Sequence, residues 1–507
     1  MTGGYHSARD HDGDLELDAD VVVVGSGAGG SVVATELATA GQRVLVLEEG
    51  PRVPPADYGR MRPSESMRHI WRDGGMTVAL GVGDTPSINV TMGRCVGGSS
   101  VLTGAVCFRI PDEVLHEWSN DHGLAGYTPA EMEPFAEHVE KAIHVEEVPV
   151  HMRSRGTQLF AEGAAKRGVE LQPLRRNTKG CQGCGRCNFG CPHEAKMSVD
   201  QSYLPRAVRA GADVWSHCRV DRVRVKNGRA VGVVGRVLGR PGGKPSGRLA
   251  VHARRVVVAC GAWNTPVLLQ RSGIRGGGHV GRHLTVHPAF RGLARFDEPV
   301  RGWQGALQSA YTEAFRDDGI TLTGLFVPVG VLGATMPGVG PEHTRAAANI
   351  DQLAIFGGMI HDDGGGRVHR IPGRREPLVT YRMSKKDRAT VPKVVRLLAE
   401  IFADAGAKEI FLPVLGMRPV APDDLASLDL DRIPGSRFEC SSQHPLGTCR
   451  MSAAPERGVV DADGKSWEVD ELYVADGSVL PTSLGVNPQL SIMTVATRIA
   501  WRMTERA

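Results

Sequence analysis

The chain has 507 residues, of which 41% are hydrophobic, and this length suggests roughly two to four domains with large buried cores. Its 60 basic and 56 acidic residues leave a formal net charge of +4, and such a balance indicates neither a nucleic-acid-binding nor a membrane-binding field. The polar N-terminus lacks an apolar signal region and no window approaches about 18 apolar residues, so we expect a cytoplasmic protein without a membrane span, whose ten cysteines are mostly thiols or ligands.

The first predicted elements are a strand, a glycine-rich turn, a helix and a second strand. An almost all-valine run at 20–24 is typical of a strand buried on both faces, and residues 31–41 have the composition of a helix. A second buried strand follows at 44–47. Because the whole βαβ unit is in order, we predict nucleotide binding here and not a bare structural turn.

Each glycine of this turn, and the acid after the second strand, has a predicted task. Gly25 permits the tight turn, Gly27 lets the backbone approach a pyrophosphate, and Gly30 lets the helix pack closely on the strand. The helix N-terminus offers free N–H groups to phosphates. Glu48 is predicted to accept hydrogen bonds from the ribose hydroxyls, although this unit alone does not distinguish NAD from FAD.

A run of small residues, Gly97-Gly98-Ser99-Ser100, comes next. Consecutive small residues let a backbone lie flat against a planar ring and donate N–H groups to it. The alternative, a flexible surface loop, agrees poorly with the apolar flank at Val96. We therefore predict that this run contacts the ring of a cofactor.

Four cysteines follow at the spacing Cys181-x2-Cys184-x2-Cys187-x3-Cys191, with a proline directly after the last one. This is the ferredoxin spacing, in which cysteine thiolates hold an iron–sulfur cluster. We predict such a cluster, and plain thiols, disulfides or zinc remain as alternatives. A cluster here would conduct electrons away from a reduced cofactor or serve as a structural staple.

The middle of the chain has the pattern of a second domain. Strands are predicted at 320–332 and 351–360, and Gly/Pro/Arg-rich stretches at 239–247 and 361–375 predict surface loops. A helix at about 385–405 is predicted to bury five apolar side chains. These are Val391, Val394, Val395, Leu398 and Phe402.

The C-terminal segment combines a strand and a helix. The strand is predicted at 472–475, and Asp476 and Gly477 follow at its C-terminal edge, where α/β sheets bind ligands. A helical pattern then begins, for which Asn487 is a suitable N-cap and Pro488 a suitable first residue.

Several of these segments resemble motifs of the glucose–methanol–choline (GMC) oxidoreductase family. The matching stretches are 93–104, 261–274 and 444–492, and residues 279–288 resemble that family's lead-in to its substrate domain. The resemblance runs from about residue 18 to 505, with the motifs in the family's order. It implies an α/β fold in which a Rossmann-type FAD-binding domain adjoins an α+β substrate domain with an antiparallel sheet.

The same resemblance implies a domain division and a cofactor site. The FAD-binding domain would comprise 18–110, 200–285 and 440–507, and the substrate domain 111–199, which contains the cysteines, and 286–439. Val220, Asp476, Gly477 and Pro488 join the glycines, Ser99 and Glu48 as residues that would contact FAD. Leu102 stands where some members carry a histidine bonded to FAD, so we expect noncovalent FAD. Thr103 replaces the family's usual Asn or His.

His444 and Asn487 match the family's catalytic pair. Alcohol oxidation removes a hydroxyl proton and a hydride from one carbon, and His444 would accept the proton. Asn487 would hydrogen-bond the hydroxyl and aim the carbon at flavin N5. Because single histidines and helix caps are common structural features, a structural role for either residue is the alternative.

The substrate is predicted only by class. The chain resembles flavin oxidases of the 6′-hydroxyl of paromamine-type aminoglycosides, which predicts oxidation of a sugar primary hydroxyl to the aldehyde in antibiotic biosynthesis. Long-chain or steroid alcohol oxidation is the main alternative. A GMC-type lyase and a flavin protein that only transfers electrons are two others. Oxygen or an electron carrier would reoxidise the flavin.

Overall fold

The computed structural model describes residues 3–11, 13–239, 246–336 and 338–504. Within them the strands are β1 (Tyr5–Ser7), β2 (Leu15–Val24), β3 (Val44–Leu47), β4 (Val78–Gly81), β5 (Ile88–Val90), β6 (Val145–Glu147), β7 (Gln172–Pro173), β8 (Arg175–Asn177), β9 (Asp213–Ser216), β10 (Cys218–Lys226), β11 (Arg229–Val237), β12 (Gly247–Val258), β13 (Ala289–Arg295), β14 (Ala310–Thr312), β15 (Ile320–Gly324), β16 (Leu353–Ile360), β17 (Arg367–His369), β18 (Leu378–Tyr381), β19 (Glu409–Phe411), β20 (Cys440–Ser442) and β21 (Leu472–Val474).

The α-helices of the described residues are α1 (Ala28–Thr39), α2 (Pro55–Arg60), α3 (Pro63–Ile70), α4 (Asp112–Asn120), α5 (Pro129–Ala142), α6 (Arg155–Ala165), α7 (Tyr203–Arg209), α8 (Gly261–Arg271), α9 (Val329–Ala334), α10 (Pro341–Ala348), α11 (Lys385–Asp404) and α12 (Gln489–Met503). None of the helices in the described ranges is both long and apolar enough to cross a bilayer.

The first sheet is a parallel core with an antiparallel extension. Its order is β1-β9-β3-β2-β12-β11-β10, and β21 also pairs with β12. Strands β1, β9, β3, β2, β12 and β21 run parallel, and β10 to β12 form an antiparallel meander. The valines of β2 are buried on both faces, as expected of a strand covered by helices. The predicted Rossmann-type unit is thus confirmed, with β2 starting earlier than expected.

The second sheet is mostly antiparallel. Its order is β17-β18-β4-β5-β20-β13-β16-β15-β14-β7, with β19 also paired to β13. Helix α11 covers β13 and β16 and buries the five side chains predicted for it. The predicted fold class, an α/β cofactor domain with an antiparallel substrate sheet, is therefore confirmed. Strands β4, β5 and β20 pair here although we assigned their ranges to the cofactor domain, so the two proposed domains share strands at their boundary.

Two local predictions differ from the structure. The strand predicted at 320–332 ends at Gly324, and α9 begins after Pro328, because a proline lacks the N–H that a strand ladder needs and suits a helix start. The predicted loop at 361–375 contains the short strand β17. The loop predicted at 239–247 lies mostly outside the described residues.

Candidate active site

The glycine turn after β2 shows why each position has no side chain. Gly25 has φ +102°, and a Cβ there would lie 2.3 Å from the Ala259 carbonyl oxygen. A Cβ on Gly30 would lie 2.1 Å from the Gly25 oxygen, so Gly30 allows α1 to pack on the turn. A Cβ on Gly27 would meet nothing within 4 Å. Gly27 therefore faces open space at the start of α1, where N–H groups attract anions.

Glu48 ends β3 and holds this turn in place. Its Oε2 accepts hydrogen bonds from the Ser26 N–H at 3.2 Å and the Ser26 hydroxyl at 2.7 Å. Its Oε1 accepts from the Gly50 N–H at 2.8 Å. Burial raises the pKa of the Glu48 carboxyl. Glu48 lines the cleft described below and would be available to ribose hydroxyls at its edge.

The run at 97–100 packs against the same turn. Gly97 and Gly98 both have positive φ, and the Gly97 N–H donates to the Ser26 hydroxyl at 3.1 Å. A Cβ on Gly98 would lie 2.8 Å from the Gly27 Cα. The Ser99 hydroxyl accepts from the Gly93 N–H at 3.0 Å. The run forms one turn of 3₁₀ helix and is not a free loop.

Asp476 connects the strand β21 to helix α8. Its Oδ2 accepts from the Gly261 N–H at 2.8 Å and from the Thr265 hydroxyl at 2.5 Å. Its Oδ1 accepts from the Ser478 N–H at 2.8 Å. Burial raises the pKa of Asp476, and the positive end of the α8 dipole favours the carboxylate. Asp476 thereby fixes the loop at the C-terminal edge of the parallel sheet.

One large cleft with about 1680 Å³ of empty space runs along this edge. It brings together most of the residues that the sequence singled out: Gly25, Gly27, Glu48, Gly98, Ser99, Val220, His444, Asp476, Gly477, Asn487 and Pro488. Gly30 and Gly97 do not line the cleft and act behind its wall through the packing described above. Each lining segment comes from a different part of the chain.

His444 and Asn487 meet inside the cleft. Their Nε2 and Nδ2 atoms lie 3.1 Å apart. Helix α12 begins only at Gln489, with Pro488 at the N-cap and no side-chain cap, so our prediction that Asn487 caps this helix was wrong. The Asn487 side chain is directed at His444 instead. Its buried Oδ1 has no hydrogen-bond partner among the described residues, and a bound ligand would satisfy it.

His287 lies behind His444 and was not singled out from the sequence. Its Nδ1 is 3.2 Å from the His444 Nδ1, and its Nε2 accepts from the N–H groups of Leu484 and Gly485 at 2.9 and 3.2 Å. Burial lowers the pKa of His287 to about 3. Burial and then His287 lower the pKa of His444 well below 6.5. Both imidazoles are therefore neutral at physiological pH.

Asp362 holds the loop that carries His287. It accepts from the backbone N–H groups of Val286 and His287 at 3.2 and 3.0 Å, from the Ser483 hydroxyl at 2.9 Å, and from the Tyr381 hydroxyl. His287 has φ +48°, an uncommon conformation for a residue with a side chain. The only signal for His287 in the sequence was its place directly before the proline that ends the motif at 279–288.

The structure does not support the metal site predicted for the cysteine run. It surrounds a separate small cavity, and among the described residues no group of three or more His, Cys, Asp or Glu side chains is placed to hold a metal ion. Cys184 is exposed, and the Cys187 sulfur accepts a hydrogen bond from the buried Arg176 guanidinium at 3.0 Å. The iron–sulfur prediction for Cys181, Cys184, Cys187 and Cys191 is therefore not supported. The spacing predicted ligands, and the four cysteines do line one small cavity together, with the Cys187 sulfur paired to Arg176.

A nucleotide-binding parallel sheet, an antiparallel second sheet and a partly buried His–Asn pair in the cleft define a class of cofactor-dependent oxidoreductase. Two family models, both described as GMC oxidoreductase, match residues 19–289 and 370–496. The chain belongs to the GMC oxidoreductase family and is an FAD-dependent oxidoreductase that acts on CH–OH donors.

Curated relatives cover nearly the whole chain. An uncharacterized GMC-type oxidoreductase, Rv0492c of Mycobacterium tuberculosis, is 37% identical over 95% of this chain and 75% of its own length. Another, y4nJ of Sinorhizobium fredii, is 32% identical over 99% of this chain and 96% of its own length. Long-chain-alcohol oxidase FAO1 of Arabidopsis thaliana is 28% identical over 99% of this chain and 69% of its own length.

The solved structures show the same fold. Pyridoxine 4-oxidase from Mesorbium loti superimposes with a TM-score of 0.73 at 19% identity, covering 96% of this chain and 100% of its own. A formate oxidase gives a TM-score of 0.71 at 17% identity, covering 97% of this chain and 98% of its own.

The cleft has the features that FAD requires. Gly27 leaves open space for a pyrophosphate beside the α1 N-terminus, and the Glu48 carboxylate stands at the end of β3. Asn487, whose Oδ1 has no hydrogen-bond partner among the described residues, also lines the cleft. Leu102 is buried and offers no atom for a covalent flavin bond. These residues would hold FAD noncovalently.

Proposed function

We propose that the chain oxidises a neutral alcohol to a carbonyl compound, with His444 as the base and Asn487 as the orienting group. The observation that carries this proposal is the partly buried 3.1 Å contact between the His444 Nε2 and Asn487 Nδ2 atoms inside the cleft. FAD, when bound, supplies the hydride acceptor. His444 takes the hydroxyl proton, and the Asn487 amide binds the hydroxyl oxygen. Burial lowers the pKa of His444, which keeps its imidazole neutral but also makes it a weaker base than a histidine that titrates near pH 7.

The N-terminus of α12 supports the same assignment. Pro488 and Gln489 line the cleft at the start of this 15-residue helix. A helix N-terminus carries partial positive charge and so favours negative charge placed near it. By family resemblance this end would stabilise the charge that two-electron reduction places on the flavin.

The charges of the cleft favour a neutral substrate over a polyamine. Among the described residues, four carboxylates line it, and all are engaged: Glu48 by Ser26 and Gly50, Glu49 by Arg72 and Arg375, Glu376 by the same two arginines, and Asp476 by Gly261, Thr265 and Ser478. A buried ammonium needs a carboxylate partner. An aminoglycoside carries several ammonium groups, and the only oxygen of these four carboxylates that is buried without a hydrogen bond is the Glu376 Oε1.

Two neutral alcohols are candidates. A long-chain primary alcohol is the first, because the alignments with long-chain-alcohol oxidases cover 95–99% of the length of this chain. A neutral sugar with a primary hydroxyl is the second, because the side-chain amides of Gln308 and Gln443 line the cleft and could hydrogen-bond several hydroxyls.

The test is an anaerobic absorbance spectrum of the purified flavoprotein before and after each alcohol is added. We expect bleaching of the flavin band by dodecanol or by a neutral sugar, and none by paromamine. Replacing His444 by Gln should slow bleaching about 100- to 10,000-fold with flavin content unchanged. His69→Gln, on an exposed face of α3, is the matched control. Unchanged bleaching in the His444 variant would remove the base assignment, and turnover without bleaching would indicate a lyase.

A further inference from the structure

Four strands at one end of the second sheet leave one of their faces uncovered. On β17, β18, β4 and β5 the inward side chains Val368, Val379, Ala79 and Ile88 are at most 1% exposed. The opposite face carries large apolar side chains in solvent. Val78, Leu80 and Leu378 are 38, 47 and 39% exposed, and Met76, directly before β4, is 76% exposed. We call Met76, Val78, Leu80 and Leu378 the apolar strip.

The register places a row of cations beside this strip. Leu80 pairs with Thr380 across β4 and β18, and Leu378 pairs with His369 across β18 and β17. Arg367 pairs with Thr380, so the exposed residues of the edge strand β17 are both basic. The loop that follows and the end of β18 add further exposed arginines. Together the cationic rim consists of Arg367, Arg370, Arg374 and Arg382.

Within the part of the chain that the structure describes, no ion pair neutralises these arginines. None of the ion pairs found among the described residues involves Arg367, Arg370, Arg374 or Arg382. The nearby acids Asp84, Asp363 and Glu376 are paired with Arg388, Lys386 and Arg375. Asp73, in the turn before Met76, is the exposed acid that remains. The face therefore has a local positive field although the whole chain is nearly balanced in charge.

We propose that this face docks the protein onto an anionic lipid surface. Apolar side chains at the centre of a cationic rim match the boundary between acyl chains and headgroups, where the strip would be buried while the arginines contact phosphates. A second copy of the chain fits less well, because a stable protein interface takes about 20–30 residues a side. This docking does not depend on the proposed substrate or on His444.

The test is co-sedimentation of the FAD-loaded protein with vesicles, without substrate. We expect binding to equal parts phosphatidylserine and phosphatidylcholine, little binding to phosphatidylcholine alone, and loss of binding at high salt. Arg367→Gln with Arg370→Gln should weaken binding about 25-fold, since each arginine near the surface contributes about fivefold. Leu80→Ser with Leu378→Ser should weaken it to a similar degree.

Matched controls keep the result interpretable. Val225→Ser changes an equally exposed side chain, 41% exposed, on a strand of the first sheet, and should bind vesicles as the unmodified protein does. Flavin content and melting temperature should be unchanged in every variant, because all these side chains are exposed. Equal binding to neutral vesicles, or no loss in the arginine variant, would overturn the proposal. So would a concentration-dependent dimer that Leu80→Ser abolishes, because a second copy would then cover the face.

Discussion

The two neighbouring histidines, His287 fully buried and His444 partly buried, both carry no charge. His287 has no exposed surface, and its Nε2 is occupied by the N–H groups of Leu484 and Gly485. Protonating Nε2 would break both hydrogen bonds and bury a charge. His444 is neutral for the same physical reason, burial. The proposed base is thus held by a neighbour that does not compete for protons at neutral pH.

This neutrality predicts a specific acid sensitivity. A histidine whose folded pKa is about 3, against 6.5 in the unfolded chain, takes up a proton below pH 6.5 only when the chain unfolds. His287 should therefore lower the free energy of unfolding by about 2 kcal/mol between pH 7 and pH 5. His287→Gln keeps an acceptor but does not titrate, and its urea unfolding should lose that part of the pH dependence. An identical pH dependence in both proteins would contradict the assignment.

At the residue scale the sequence showed only part of the site. His444 and Asn487 were recognisable because each belongs to a short motif. His287 and Asp362 were not, because they are far from His444 in sequence and meet it only when β13 and β16 have paired. The cap assigned to Asn487 failed because its side chain is directed at His444 and not at the helix N–H groups.

At the scale of elements, the glycines near the α1 turn divide into packing and binding positions. Gly29 and Gly30 pack closely against backbone oxygens. A Cβ on Gly29 would lie 1.9 Å from the Ala475 oxygen, and a Cβ on Gly30 would lie 2.1 Å from the Gly25 oxygen. A Cβ on Gly27 would meet no atom within 4 Å, and its φ of −74° is one that alanine also adopts. Glycine thus has two different roles within these four residues: close packing at two positions and open space at a third.

Two alanine variants separate these meanings. Gly30→Ala should lower the free energy of unfolding by about 3 kcal/mol or more, because a backbone must move to admit the methyl group. Gly27→Ala should leave the stability of the FAD-free protein within about 1 kcal/mol and weaken FAD binding about tenfold or more, since its methyl group enters the cleft. Urea unfolding and FAD titration measure the two effects. If both variants behaved alike, the division between packing and binding glycines would be wrong.

Local periodicity predicted the long elements well and the strand pairing poorly. Helix α11 and the valine strands β2 and β3 were evident from composition and spacing. The assignment of β4, β5 and β20 to the second sheet was not, because each has at most four residues and its place depends on partners far along the chain. The cysteine spacing indicated a metal site for the same reason, since spacing alone does not report where side chains point.

At the scale of the whole molecule, two hydrophobic cores flank the cleft. One is built on the first sheet and α12, the other on the second sheet and α11. Leu102 lies buried in a third cluster, and its side chain has no nucleophilic atom for the flavin. Because no covalent bond to FAD can form at Leu102, FAD bound between the two cores stabilises the folded protein only through its binding equilibrium.

Two observations should follow for FAD. Acid precipitation should release all of the flavin into the supernatant, as measured by its absorbance. Free FAD at 100 times its dissociation constant should stabilise the protein against urea by about 2.7 kcal/mol, seen as a rise in the unfolding midpoint. Flavin that stays with the precipitate would show a covalent bond and contradict the role of Leu102.

The long strand β12 also has a consequence for biosynthesis. Its last three residues pair with β2 on one side and with β21 on the other. Of these two partner strands, β2 precedes β12 in the chain and β21 follows it. The strand β21, Asp476, Asn487 and α12 are translated after every other part of the cleft. A nascent chain that stops before residue 472 has a nucleotide turn with one wall missing. We therefore expect FAD to bind only after the C-terminal segment has been translated, so that bound flavin marks a chain that includes this segment.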